Sequence, residues 1–237
     1  MRKAIISDIH GNLPALKRVL KDIDSQNIDA IYNLGDIFGC KNPEADAACL
    51  DILMDRVTVN VMGNKDLEVL LNEQTLLGTD ADRETIFQTH HILLGTSSQQ
   101  KKRWDFLNCI PYVYFESNKI MYFHGSPLDP LQGLLARHDV HDTKRMDLEF
   151  CMIHYLGFHG HTHSPEVISS EKVYLEPENK LHPSWIFPKA PEKPIKYFIG
   201  VGSVGDPRGW ETHLAYAILE ETEDAFHLQF RLLEPLS

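Results

Sequence analysis

The sequence predicts an α/β fold, and three stretches in its first third predict it. Each is a short β-branched run, then a polar loop, then apolar residues at helical spacing. Residues 3–7 precede Leu13, Leu16, Val19, Leu20 and Ile23; residues 30–34 precede Ala47, Leu50 and Leu53; residues 57–61 precede Leu67, Leu70 and Leu71. Strands alternating with helices imply a largely parallel sheet, in which ligands bind beyond the carboxyl ends of the strands. The loops at those ends are therefore where chemistry is expected.

The first loop is Asp8-Ile9-His10-Gly11-Asn12, with Asn12 as a helix cap and Pro14 in the first turn. The second is Gly35-Asp36-Ile37-Phe38-Gly39, before a helix opened by Asn42-Pro43. The third is Gly63-Asn64-Lys65-Asp66. Residues 79–109 read as helical with a break near 95–97, and His90 and His91 fall there as packing or surface residues. A hairpin over 112–115 and 119–123 then ends in His124-Gly125-Ser126-Pro127, a fourth strand end with a metal-type ligand.

Residues 131–156 read as mostly helical and lead into Gly157-Phe158-His159-Gly160-His161-Thr162-His163. A hairpin is expected over 166–175. Residues 177–194 hold five prolines and read as a surface excursion without regular structure, a connection in preference to a lid. Strands return at 197–201, 214–219 and 226–232, with Gly202-Ser203-Val204-Gly205-Asp206-Pro207-Arg208 as a tight turn.

The length suits one domain over 1–237. With 23 basic and 34 acidic residues the net charge is −11, which argues against an extended nucleic-acid surface, although bound divalent cations would reverse the sign locally. Cys40, Cys49, Cys109 and Cys151 lack metal or disulfide spacing and read as reduced, mostly buried thiols. No stretch has the length of a membrane span, and the apolar run after Met1-Arg2-Lys3 is too short for a signal peptide, so a cytoplasmic location is expected.

The strand-end residues Asp8, His10, Asp36, Asn64, His124, His161 and His163 offer three oxygen and four nitrogen donors. One divalent ion takes about four to six donors, so the set fits two ions sharing a bridging aspartate. Imidazole and carboxylate donors without thiolate suit manganese, taken first here, as well as iron or zinc. Any one of these residues has a plain structural explanation, as a helix cap, a turn residue or an interior imidazole. Together those explanations leave unexplained why every group falls at the same end of its strand. For His138, His141, His154, His159, His182, His213 and His227 the plain explanation is accepted, as it is for the turn containing Ser203 and Arg208.

In this order, Asp-x-His, Gly-Asp-x-x-Gly, Gly-Asn-x-Asp, His-Gly and Gly-His-Thr-His resemble the calcineurin-like metallophosphoesterase superfamily over roughly residues 3–232. The segments at 124–127 and 202–208 resemble its small bacterial and archaeal phosphodiesterase branch. The resemblance implies a four-layer α-β-β-α sandwich. It implies that Asp8, His10 and His163 bind one ion, Asn64, His124 and His161 the other, and that Asp36 bridges them. It further implies in-line attack by a metal-bridging hydroxide on a small phosphoester, a nucleotide among the candidates. Phosphomonoesterase or dinucleoside polyphosphate hydrolase activity is the alternative within enzymes, and a non-catalytic interaction scaffold the alternative outside them. Nothing in the sequence indicates the oligomeric state.

Two positions depart from the family pattern. Lys65 stands where many members have a histidine that protonates the leaving oxygen, so Lys65 is expected as acid or phosphate clamp, against a solvent-facing lysine with water as proton source. Phe38-Gly39-Cys40-Lys41 replaces the Asp-Arg-Gly segment of the Ser/Thr protein phosphatases, which argues against that branch. Asp66 is expected either to hold a ligand histidine in its tautomer or to sit at a helix start favoured by the dipole.

Overall fold

The computed structural model describes residues 1–39, 41–73, 80–117, 119–176, 182–190, 195–208 and 212–235, with the side chains of 80–82 excepted. The first three units form as expected: β1 (Arg2–Ile6) and α1 (Leu13–Asp24), β2 (Ala30–Asn33) and α2 (Pro43–Arg56), β3 (Val59–Asn60) and α3 (Asn64–Leu71). Asn12 and Asn42 cap α1 and α2 by accepting from Ala15 N and Ala45 N. After them come α4 (Asp80–Leu93) and α5 (Ser98–Asn108), then β4 (Val113–Glu116), β5 (Ile120–Phe123), α6 (Thr143–Cys151), β6 (Leu156–His159), β7 (Pro165–Ser169), β8 (Ser184–Pro188), β9 (Tyr197–Val201), β10 (Leu214–Glu221) and β11 (Ala225–Leu233).

The strands form two sheets, ordered β3-β2-β1-β10-β11-β8 and β4-β5-β6-β9-β7. Alternation along each strand sorts its side chains into layers. Ala4 and Ile6 face a core shared with helices α1 to α5, while Ile5 between them joins a second core with Tyr122, Phe158 and Ile199 of the other sheet. Met121 and Phe123 face a third core with Met146 and Phe150 of α6. The order helices, sheet, sheet, helix is the expected four-layer α-β-β-α sandwich.

Several expectations need correction. The stretch 131–156 holds one 3₁₀ turn (Arg137–His141) and α6, and the residues entering the histidine motif are a strand, β6, buried throughout between β5 and β9. Its four residues lie too close to a helical stretch to show a period of their own. The third strand keeps only two residues. The proline-rich stretch includes a strand, β8, antiparallel to β11 at the sheet edge, where missing N–H groups do least harm; 177–181 and 191–194 lie outside the described residues. Cys49 is buried, but Cys109 and Cys151 are exposed, against the expectation for the thiols; Cys40 lies outside the described residues.

Candidate metal centre

The loops after β1, β2 and β5, the start of α3 and the turn between β6 and β7 converge at one end of the two sheets. Backbone hydrogen bonds sew the first two loops together: Asp8 N donates to Gly35 O, Ile9 N and His10 N to Asp36 O, and Gly11 N to Ile37 O. The turn at 202–208 closes over the first loop, with Gly205 N and Ser203 Oγ both donating to Asp8 O. Asp8, His10, Asp36, His161 and His163 all have φ between 49° and 62°, the left-handed region. Each such residue costs roughly 1–3 kcal/mol unless its surroundings hold it, a pattern typical of functional sites.

Two groups of donors result: Asp8, His10 and His163, and Asp36, His124 and His161. In the first, His163 Nε2 is 3.2 Å and His10 Nε2 3.7 Å from Asp8 Oδ1. In the second, His124 Nε2 is 3.5 Å from Asp36 Oδ1 and 3.1 Å from Asn64 Oδ1, and the His124 and His161 rings are 5.0 Å apart. Asp36 turns its other oxygen to the first group, 3.7 Å from His10 Nε2. All seven residues singled out in the sequence thus meet in one place, with Asp36 between the groups.

The ring nitrogens show what these groups fit. His10 Nδ1 lies 3.2 Å from Phe38 O and His124 Nδ1 2.7 Å from Leu34 O, and His163 Nδ1 bonds Asp206 O. A carbonyl only accepts, so each Nδ1 carries a proton and each ring turns its Nε2 inward, free to ligate once that nitrogen is unprotonated. The His10 and His163 Nε2 atoms are then 3.1 Å apart, beside a buried Asp8 Oδ1 that has no hydrogen-bond partner. His124 Nε2 likewise faces the Asn64 oxygen at 3.1 Å. Ring nitrogens and carboxylate oxygens converging on one point in each group fit a divalent cation.

The proton equilibria show that this end of the sheets favours positive charge. Burial alone would raise the Asp8 carboxyl, yet His10 and His163 hold it well below the usual range. Asp36, likewise raised by burial, is brought to about 2 by His124, and His124 is pushed up to about 9 by Asp36 against its own burial. His161 is lowered by burial and by the His124 charge. His159 behaves as an interior residue, stacked on Phe123 and held at about 4 by burial.

Lys65 and Asp66 sit beside the second group. Lys65 N donates to Asp36 Oδ1, and its ammonium pairs with the buried Glu68 at 2.8 Å. Asp66 accepts from the backbone N–H of Gly63 and Ile37; burial, then the Asp36 charge, pushes it up to about 7. Of the two roles expected for Asp66 this is the helix-start one, and from there it also holds the Asp36-Ile37 peptide whose carbonyl receives Ile9 and His10. The histidines are held instead by backbone carbonyls of Leu34, Phe38 and Asp206, which no residue type in the sequence announces.

The family model for the calcineurin-like phosphoesterase superfamily domain matches residues 1–224. The chain belongs to this superfamily. An uncharacterized protein of Methanocaldococcus jannaschii is 30% identical over 226 residues, 93% of this chain and 83% of that protein. The crystal structure of a metallophosphoesterase from Sphaerobacter thermophilus superposes with a TM-score of 0.76 at 26% identity, covering 100% of this chain and 90% of that one. A hypothetical protein from Pyrococcus horikoshii shares the fold, with a TM-score of 0.67 at 18% identity over 98% of this chain and 88% of that one. The calcineurin-like phosphoesterases typically bind a dinuclear metal site, and this chain carries two candidate donor groups.

Proposed function

We propose that this protein is a dimetal-dependent phosphoesterase that prefers small phosphodiesters, with manganese as its ions and the cytoplasm as its location. The observation that carries this reading is Asp36, which presents one oxygen to each donor group. Asp8, His10 and His163 would hold the first cation, Asn64, His124 and His161 the second, and Asp36 both. Bound there, the two cations would supply Lewis-acid charge neutralisation and an activated water. The chain's own part is orientation: three carbonyls fix three imidazoles, and the backbone N–H of Lys65 fixes Asp36 Oδ1.

The diester preference is supported by charge. Two cationic side chains at this end, Lys65 and Arg208, are already paired with Glu68 and Asp206. A singly charged diester asks less of them than a dianionic monoester. The test is metal stoichiometry together with turnover of bis-p-nitrophenyl phosphate against p-nitrophenyl phosphate. Two ions per chain and faster diester turnover are expected. Faster monoester turnover would reverse the preference, and neither metal nor turnover would favour a scaffold.

A further inference from the structure

The peptide unit between Phe38 and Gly39 lies between a buried carboxylate and a ligand histidine. Its N–H donates to Asp46 Oδ1 at 2.8 Å, and its carbonyl accepts from His10 Nδ1 at 3.2 Å. The two atoms occupy opposite edges of one rigid plane, so whatever fixes the N–H also fixes where the carbonyl points. Asp46 is on α2 and fully buried, and its Oδ2 accepts from Thr89 Oγ1 of α4, also fully buried, at 3.3 Å. There is no slack around this arrangement. A Cβ on Gly39 would meet His10 O at 2.1 Å, and one on Gly11 would meet Asp46 Oδ1 at 2.2 Å. Glycine at both places lets the carboxylate and the two ligand loops close on one another.

We infer that Asp46 is a positioning residue for His10, acting through the Phe38-Gly39 peptide, so that affinity at the first cation position depends on it. The dependence on a cation rests on the dimetal reading above; the orientation of His10 does not. The logic is that of a carboxylate orienting a metal-bound histidine, with one peptide unit inserted between them. A carboxylate on the N–H also polarises the carbonyl across the plane, which strengthens its bond to His10 Nδ1–H and favours the tautomer with Nε2 turned inward. Nothing in the sequence marks Asp46, which lies at a helix position where a first-turn carboxylate is ordinary.

The test uses the full chain with Asp46→Ala, Asp46→Asn and Thr89→Val. Manganese binding is read by titration calorimetry, and the His10 tautomer by imidazole nitrogen NMR in the metal-free protein. Asp46→Ala should lower first-ion affinity by about 10- to 100-fold, the range for outer partners of metal ligands, and leave the second ion in place. Asp46→Asn keeps an oxygen for Gly39 N–H and should bind within a few-fold of the parent. Thr89→Val should shift the His10 tautomer ratio and weaken the first ion a few-fold, which keeps the question decidable if Asp46→Ala does not fold. Equal loss of both ions, an asparagine variant no better than alanine, or an unmoved His10 ring would each overturn the inference. If the parent binds no ions, the dimetal reading falls, and the His10 tautomer alone decides whether Asp46 positions it.

Discussion

Strand β1 carries a buried polar cluster at each end, and the two are built on opposite terms. At its start, Lys3 is fully buried between the sheets with its ammonium 2.6 Å from Glu116 Oε2; the hydroxyls of Tyr122 and Tyr32 donate to Glu116 at 2.9 Å and 3.1 Å. Burial, then the Glu116 charge, pushes both phenols upward, so they stay donors. At its end, Asp8 has an orphaned oxygen, the Nε2 atoms of His10 and His163 face one another, and five ligand residues sit in left-handed backbone. The Lys3–Glu116 cluster is satisfied within the chain. The cluster at the other end combines an unsatisfied oxygen with left-handed backbone, the combination expected where a ligand completes the structure.

Substitutions at the two ends should therefore separate binding from stability. The largest effect is expected from Asp36→Asn: diester turnover should fall by roughly 10²–10³-fold, on the scale of losing one preorganised charge stabiliser. Both ions should weaken while the melting temperature of the metal-free protein changes little. Retained ions with a lowered melting temperature would break the comparison. Lys3→Met should do the converse. It strands the Glu116 carboxylate beside two phenols and should cost about 1–3 kcal/mol by denaturant unfolding, below the range for fully buried pairs because Glu116 is partly exposed. Metal stoichiometry should stay at the parent value.

Glu166, on β7 behind the histidine turn, sharpens the comparison through pH. Burial pushes its carboxyl from 4.5 up to about 8, and its Oε1 is unpartnered. The folded protein keeps the proton across that window while the unfolded chain releases it near 4.5, so stability is highest below the window and falls as pH rises through it. Glu166→Gln should flatten that fall and raise stability at pH 8 by on the order of 1–3 kcal/mol, read from melting curves across pH. A parent whose stability is flat over the window would contradict it.

The smallest effect is expected at Lys65, which already has a partner at the unsatisfied end. Lys65→Ala should slow diesters with alkyl leaving groups by about 10-fold and nitrophenyl diesters less, because only poor leaving groups need a proton. Equal slowing of both would leave Lys65 as a clamp or spectator.

Much of this site was legible before folding, because metal ligands are side chains of a few types and strand-end loops repeat in sequence. Asp8, Asp36 and Asn64 each follow a β-branched run, and His161-Thr162-His163 lies in one turn. The strands β6 and β8 were not legible: one is only four residues long next to a helical stretch, the other is bounded by prolines. The Lys3, Tyr32, Glu116 and Tyr122 cluster was not legible either, since its members lie on four strands and meet only when the two sheets pack.

By itself, then, the sequence determined the ligand types, their order and their place at strand ends, since those follow from local periodicity and turn chemistry. The tertiary structure decided which atoms face inward. Imidazole orientation is set by the carbonyls of Leu34, Phe38 and Asp206 and, through one peptide, by Asp46. A carbonyl is the same in every residue, and its direction exists only once the loops have closed on each other.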